Sequence, residues 1–455
     1  MDERDTVRAA PPARPLRAIR IEVLEGPDRG RSFDASEERI QIGTASTNDL
    51  VLTDEAVSRY HLELLHRGER VDLIDHDSTN GTWIGTAAIK RGFLLPGTVL
   101  KVGRSLLRVT DGDPIELPLH EDDRLGGLVG RSVAMRQLMA RMRKVAASSA
   151  SVLLLGETGA GKDSVARAIH EASPRAGGPF ESVDCGSMVD TLITTELFGH
   201  ERGAFTGAYA QHLGAFERAR GGTLFLDEVG ELPLNLQAAL LGTLERRSFR
   251  RIGGSERIDT DVRVICATHR DLRAAVNSGG FRQELFFRIA VVVLDIPPLR
   301  ERRDDVPVLI EHFVRRAHRS EPVEQLFPPD MLAALASQEW PGNVRELRNF
   351  VEATLAMGVP PELSSSERPI ADSDERGASA QFVDLAPLLE LPHEQARGEM
   401  IERFEKAYLR ALLNRSGGRV NAAARDARMD RTYLGRLLKR HGFALKARPG
   451  DDGEA

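Results

Sequence analysis

A wholly apolar run, Val152 to Leu155, breaks into Gly156-Glu157-Thr158-Gly159-Ala160-Gly161-Lys162, with Asp163 and Ser164 next and a helical pattern from there on. Glycines at 156, 159 and 161 let successive backbone N–H groups curl inward without a Cβ clash, and the following helix contributes the positive end of its dipole. Lys162 is placed to reach β and γ phosphates. A buried strand, a glycine loop, a lysine and a helix in that order predict a phosphate cradle, with ATP and Mg2+ as ligands. The general motif has Ser or Thr directly after the lysine to hold the metal. Here that position is Asp163, with Ser164 one later, so which group touches magnesium stays open.

A second chemical pair closes the run GGTLFLDEVGELP, where Asp227 and Glu228 follow Thr223 and the three apolar residues Leu224, Phe225 and Leu226 in a strand pattern. Acids at the C-terminal end of a strand lie where an open α/β sheet binds nucleotide. Asp227 is suited to hold magnesium and Glu228 to orient and deprotonate an attacking water. The strand VRVICATHR sets Thr268 and His269 beside the same edge, and FRQELFFRI carries Arg282 and Arg288. A lone arginine there reads as a surface residue; two so close to the nucleotide strands admit a reach to the γ-phosphate of a neighbouring subunit. A third feature is Gly203-Ala204-Phe205-Thr206-Gly207-Ala208. Glycines at both ends permit large backbone changes, while Phe205 and Thr206 offer an apolar and a hydroxyl contact to a partner. A buried turn explains the glycines and leaves the phenylalanine unexplained.

The elements that position these groups follow from composition and pattern. The chain has 455 residues, 41% hydrophobic and 29% charged, with a net charge of -6, which predicts about three soluble domains. No apolar run approaches the ~20 residues of a membrane span, and MDERDTVRAAPPARP lacks the apolar core of a secretion signal, so the expectation is a cytoplasmic protein with no membrane contact. Cys185 and Cys266 are far apart, without CxxC or His-rich company, and read as buried thiols. From Arg415 to Arg448 ten Lys or Arg face two acids, Asp426 and Asp430: a basic tail on an acidic body, as an anion-binding module would have.

Residues 1–17 are Arg-, Pro- and Ala-rich and expected to be disordered. Over 18–112 short apolar runs (IRIEVL, RIQIG, DLVL, LELL, VDLI, GTWIG, TVLKVG, LLRVT) recur between turn signals and predict an antiparallel β-sandwich. Its loop sequences VSRYH and DSTNGTWIG resemble those of the forkhead-associated (FHA) domain, a phosphothreonine reader. The resemblance implies that Ser58 binds phosphate, His61 braces the loop, and Thr79 and Asn80 hold phosphate and peptide backbone. Where that family often has Gly-Arg this chain has Gly43-Thr44, a loss of a charge-assisted contact worth about 1.5 to 3 kcal/mol, for which Arg59 is the expected replacement. A sandwich that binds an unphosphorylated partner or its own neighbouring domain is the other reading.

A polar link is expected over 113–127, then alternating strands and helices over 128–298, a helical lid over 299–358 and a Pro- and Ser-rich linker over 359–395. The order of these motifs, with ELFGHERGAFTGA (Glu196–Ala208) intact, resembles the AAA+ domain of the sigma-54-dependent transcription activators. That resemblance implies that the loop Gly203–Ala208 grips sigma-54 and that Arg282 and Arg288 are arginine fingers acting in trans within a ring, a hexamer. It also implies that Arg345 of WPGNVREL is the second sensor arginine and that Thr268-His269 form the first sensor, where Asn is commoner than His. Asp184 stands where many members have an asparagine that switches the catalytic glutamate, and an ionised acid cannot donate that hydrogen bond.

The last unit, residues 396–445 before a disordered tail at 446–455, opens with a helix whose apolar face is Ile401, Phe404, Tyr408 and Leu412, ended by Gly417-Gly418. VNAAARDARMDRTYLGRLLKRHG then resembles a Fis-type helix-turn-helix, with Arg428 where the family's turn usually has glycine. Its second helix, from Asp430, would present Arg431, Thr432, Tyr433 and Arg436 to bases and Lys439 and Arg440 to phosphates of upstream, enhancer-like DNA. A basic hairpin used for dimerisation is the plainer alternative. The expectation is therefore an all-β FHA sandwich, an α/β AAA+ P-loop ATPase with a helical lid, and an all-α helix-turn-helix. Together they read as an activator that remodels sigma-54 RNA polymerase under control of a phosphothreonine protein made by a serine/threonine kinase. The rival is a sigma-54-independent, phosphopeptide-responsive DNA-binding regulator whose ATPase serves assembly only.

Overall fold

Alternating apolar residues such as Ile40 and Ile42, both fully buried, can cover a sheet face only if a second sheet closes over it, and the N-terminal residues do this. The computed structural model describes residues 16–35, 38–67, 70–115, 118–187, 189–317 and 323–361, and near the C-terminus 395, 405, 408–409, 412, 423–424, 429 and 431–441. The chain forms two units, residues 1–363 and 364–455.

The sandwich has strands β1 (Leu16–Glu25), β2 (Ser32–Asp34), β3 (Arg39–Gly43), β4 (Leu50–Val51), β5 (Leu62–Arg67) and β6 (Arg70–Asp75), then β7 (Thr82–Ile84), β8 (Ala87–Ile89), β9 (Arg91–Leu94), β10 (Val99–Val102) and β11 (Ser105–Ile115). They form sheets ordered β2-β1-β11-β10-β7-β8 and β4-β3-β5-β6-β9. Ile19, Ile21, Ile42, Leu62, Leu64, Leu73, Leu100 and Leu107 fill the space between. Every apolar run named above lies on a strand; β2, β8 and β9 are short and mostly exposed and carry no comparable signal. The sandwich is not wholly antiparallel, since β3 and β4 pair parallel through Ile42 and Leu50. Strand β11 runs to Ile115 because its pairing with β1 continues to Leu16, so the link expected from 113 begins inside the sheet. Further along that link His120 is buried, and Arg136 Nε donates to its carbonyl at 2.7 Å. The link ends in a hairpin of β12 (Arg124–Leu125) and β13 (Leu128–Val129).

The central core is a parallel sheet of β14 (Val152–Leu155), β15 (Phe180–Asp184), β16 (Thr223–Asp227), β19 (Arg263–Thr268) and β20 (Val292–Asp295), ordered β15-β16-β19-β14-β20. A small hairpin, β17 (Ser248–Phe249) and β18 (Ile258–Asp259), stands apart from it. Helices α1 (Val133–Ala146), α2 (Lys162–Glu171), α3 (Asp190–Phe198), α4 (Ala215–Arg218), α5 (Leu234–Arg246), α6 (Leu272–Asn277) and α7 (Gln283–Ile289) surround the sheet. Strands such as β19, buried along their whole length, need cover on both faces, which is why the apolar runs are continuous and not alternating. The lid, α8 (Asp305–Arg316), α9 (Val323–Leu326), α10 (Pro329–Ser337) and α11 (Asn343–Met357), closes over Val306, Ile310, Phe327, Trp340, Leu347 and Val351.

In the C-terminal unit, α12 (Arg431–Arg440) buries Leu434 and Leu438 against Leu409, Leu412, Ala423 and Ala424. Leu409 joins the face expected from Tyr408 and Leu412; Ile401, Phe404, Gly417, Gly418 and Arg428 lie outside the described residues. Among the described residues, no helix is long and apolar enough to cross a membrane.

Candidate functional site

Strand β14 ends where Gly156 to Gly161 turn into α2, and Gly161 adopts φ 106°, a left-handed value open to glycine at little cost. At Gly159 a Cβ would meet the carbonyl of Gly342 at 2.3 Å, so the lid approaches the loop only because this residue has no side chain. Lys162 sits at the start of α2, 6% exposed. Its ammonium donates to the Gly156 carbonyl at 3.1 Å and to Glu228 Oε1 at 2.9 Å. The cleft above measures about 460 Å³ and is lined by Thr158 to Ser164, Asp227, Glu228, Leu128, Val129 and, from the lid, His312, Arg345 and Arg348. Asp163 points along α2, 3.7 Å from Arg167.

Asp227 and Glu228 close β16. Burial, with Glu228 and Asp184 nearby, raises the Asp227 pKa, and Lys162 opposes the rise. Glu228 has φ 51°, an uncommon left-handed conformation for a residue with a Cβ. Burial works against its charge, yet the Lys162 and His269 hydrogen bonds hold its pKa below the ordinary carboxylate value. On the other oxygen of Glu228, His269 Nδ1–H donates at 2.7 Å, the His269 backbone N–H at 3.2 Å and Thr268 Oγ1 at 3.3 Å. Asp184 is turned elsewhere and accepts the Gly186 N–H at 2.9 Å. The residue placed on the glutamate is thus His269 and not Asp184. Among the described residues no group of three or more His, Cys, Asp or Glu could hold a metal by itself. Magnesium in nucleotide sites needs only one or two carboxylates and completes its shell with water and phosphate oxygens, a demand that Asp227 fits.

Three residues were not legible as part of this site. Arg300 pairs with both oxygens of Glu157 at 2.8 and 2.6 Å. Asn343, with φ 54°, donates to Glu157 and to the Thr158 carbonyl. Arg302 donates to the Ala160 carbonyl at 2.6 Å and is buried, which pulls its pKa down to about 10 against the field of Asp305. These fasten the lid to the cradle. The one sequence signal was WPGNVREL itself, whose Pro-Gly-Asn announces an unusual turn. Arg345 is exposed at the cleft, its backbone N–H 3.3 Å from the Gly159 carbonyl.

Arg282 and Arg288 are exposed and both turned toward their own chain: Arg282 Nε donates to the Leu234 carbonyl at 3.3 Å and Arg288 to that of Leu244 at 2.9 Å. The loop Gly203–Ala208 stands out from α3 and α4. Gly203 and Gly207 have φ of 82° and 102°, and Gly203 N–H closes on the Ala208 carbonyl at 2.8 Å. Phe205 is 48% exposed, its ring centroid 4.9 Å from that of His200, and Thr206 and Gly207 are exposed. Arg251 braces the base, bonded to Glu201 at 2.7 Å and Glu217 at 2.8 Å.

In the sandwich, Ser58 Oγ accepts the Thr79 N–H at 2.9 Å and donates to Thr79 Oγ1 at 3.4 Å. Buried His61 accepts the Ser58 N–H on Nδ1 at 3.0 Å, and Asn80 donates to the Ala56 carbonyl at 2.8 Å. Ser58, Thr79 and Asn80 are therefore brought together. Arg59 is not with them: its guanidinium donates to Gln283 Oε1 at 2.7 Å and to the Val276 carbonyl at 3.3 Å, across the face of the α/β core. The expectation that it replaces the missing arginine at Thr44 does not hold, because Tyr60, the next residue, is buried in that core and carries Arg59 with it. On α12, Arg436, Lys439 and Arg440 are exposed; the side chains of Arg431, Thr432 and Tyr433 lie outside the described residues.

Comparison with known proteins adds the following. Residues 128–295 match the family described as sigma-54 interaction domain, and residues 300–370 the AAA+ ATPase lid domain. Residues 22–113 match the cytoplasmic domain of the inner membrane component of T3SS. The transcriptional regulatory protein ZraR of Escherichia coli K12 is 41% identical over 69% of this chain and 68% of its own. The regulatory protein AtoC of the same strain is 42% identical over 70% of this chain and 68% of its own. A solved structure described as a structural and functional analysis of phosphothreonine-dependent FHA domain interactions is 31% identical over 20% of this chain and 95% of that one, with a TM-score of 0.19.

Proposed function

Because the chain belongs to the sigma-54-dependent transcriptional regulators, we propose that it hydrolyses ATP between subunits of a ring, a hexamer, and spends that energy on remodelling a closed sigma-54 RNA polymerase complex. One observation carries this reading: a complete phosphate cradle with its own glutamate and an exposed, glycine-hinged Phe205–Thr206 loop lie on the same α/β core. Lys162 and the cleft arginines bind and orient the triphosphate, and Glu228 holds the attacking water and takes its proton. Asp227, with the Ser164 hydroxyl lining the same cleft, would hold magnesium, which would neutralise phosphate charge. Arg282 and Arg288 would serve the neighbour's site, a role their exposure allows. The C-terminal unit binds upstream DNA through α12, and the sandwich reads a phosphothreonine through Ser58, Thr79 and Asn80. A cytoplasmic location follows from this partnership with polymerase and DNA.

The loop is tested with a sigma-54-dependent reporter. Thr206→Ala is expected to abolish transcription while purified protein keeps most of its ATP turnover, because the exposed loop makes no contact with the cleft. Retained reporter activity would remove the loop from the mechanism, and the sigma-54-independent alternative would then stand. The phosphate reader is tested by titrating a phosphothreonine peptide mixture with randomised flanks. Ser58→Ala is expected to weaken binding by about 10-fold, the value of one charge-assisted hydrogen bond. Equal affinity for the unphosphorylated mixture would show that the loops serve another ligand.

A further inference from the structure

The face of the sandwich next to its phosphate loop is not free. Tyr60 is 1% exposed and belongs to the ATPase's own apolar core, its ring 5.4 Å edge-on from Phe286 and 6.5 Å from Phe287 of α7. Asn277, at the end of α6, donates to the carbonyls of Tyr60 at 2.6 Å and His76 at 3.0 Å. His76 bonds Asp271, the N-cap of α6, at 2.6 Å. Around these lie charge pairs with little water: Arg39 with Asp295 at 2.6 Å and Arg273 with Glu63 at 3.6 Å. Arg59 completes the seam on Gln283, the first residue of α7.

The contacts of the sandwich run from Asp271 to Phe287, a stretch that contains Arg282 and ends one residue before Arg288. Arg282 is the N-cap of α7, next to Gln283, and Arg288 lies in its last turn. We propose that the sandwich is an inhibitory clamp docked in cis on α6 and α7, which keeps Arg282 and Arg288 folded back on their own subunit, and that occupation of the Ser58 loop loosens it. Ser58 to His61 are consecutive, so a ligand that draws Ser58 outward moves Arg59 and Tyr60, the strut and the anchor of the seam. A two-state contact of this kind responds to a ligand in proportion to the ligand's preference for the undocked form. The trigger rests on the phosphothreonine reading given above; the clamp does not.

The test uses the full chain. Asn277→Ala removes two interdomain hydrogen bonds, one of them to the Tyr60 carbonyl, and touches neither the cleft nor Ser58, Thr79 and Asn80. It is expected to raise ATP turnover at fixed protein concentration by about 5-fold or more, the factor that a single such bond is worth, and to speed amide exchange over residues 276–288. Arg59→Ala, from the sandwich side, is expected to do the same. Turnover unchanged or lowered in both variants overturns the clamp. In the native chain the phosphothreonine peptide mixture is expected to reproduce the activation, and Ser58→Ala to abolish that response while Asn277→Ala stays active. A peptide that binds without activating overturns the trigger and leaves the clamp; a peptide that does not bind overturns the phosphothreonine reading, and Asn277→Ala alone then judges the clamp.

Discussion

Lys162→Ala is expected to abolish both nucleotide binding and ATP turnover, whereas Glu228→Gln abolishes turnover and leaves nucleotide bound. The two residues touch, with the ammonium 2.9 Å from Glu228 Oε1, so the difference must come from what each does when the cleft is filled. Removing the lysine deletes the ammonium set inside the glycine loop, and losing a preorganised charge of this kind costs about 10²- to 10³-fold in rate, beyond the loss of affinity. Replacing the glutamate with its amide keeps the shape and the bonds from Thr268 and the His269 backbone and removes the base, worth about 10²- to 10⁴-fold. Equilibrium binding of a fluorescent ATP analogue, read beside steady-state turnover, separates the two. Glu228→Gln retaining a tenth or more of native turnover would take the proton-accepting role from this residue. A second consequence concerns His269: it is bonded to the same carboxylate, so His269→Ala is expected to lower turnover with nucleotide affinity unchanged, since it orients the base and does not hold the phosphate.

How far this site could be read from the chain alone depended on sequence distance. The cradle and the Asp227–Glu228 pair were legible because their chemistry is local: a strand, a tight loop and a helix within about a dozen residues, with glycine where the backbone turns left-handed. The sandwich was legible from the period of its inward residues, Ile40, Ile42, Leu62 and Leu64, although short polar strands at the sheet edges gave no such period. What escaped was every contact made at long range. Arg300 reaches Glu157 across 143 positions and Arg59 reaches Gln283 across 224; nothing in either neighbourhood marks a partner so far away. Arg59 was misplaced for that reason. An exposed arginine beside a serine read as a phosphate ligand looks like a second ligand until the buried neighbour, Tyr60, is seen to point the other way. His269 shows the converse: its deviation from the commoner asparagine was visible, but its bond to the glutamate was a matter of three-dimensional register between β16 and β19.

The largest expected effect on stability falls on a residue with no chemical step of its own. Asp305 is fully buried at the start of α8. One of its oxygens accepts the N–H groups of Arg131 and Ser132, each at 2.7 Å, and the other accepts Ser132 Oγ at 2.9 Å. Ser132 is the N-cap of α1, whose residues Met135, Leu138, Met139 and Met142 fill the core under β14. The carboxylate also faces Arg302, a buried guanidinium for which it is the opposing charge. Asp305→Ala therefore strands two backbone donors, a hydroxyl and a cation at once. At roughly 1 kcal/mol or more for each unsatisfied group, the expected loss is about 3 to 5 kcal/mol, read as a lower urea midpoint at unchanged slope. Asp305→Asn divides the contributions. Its amide oxygen keeps both backbone bonds, so the α1 cap survives, while Arg302 loses its counter-charge; the loss should then be well under half that of the alanine variant. Because Arg302 holds the Ala160 carbonyl in the glycine loop, the asparagine variant should still bind nucleotide more weakly than the native chain. Equal losses in the two variants would mean that charge and not capping dominates at this position. Native-like nucleotide affinity in Asp305→Asn would mean that Arg302 fixes the cradle without help from the lid's first helix.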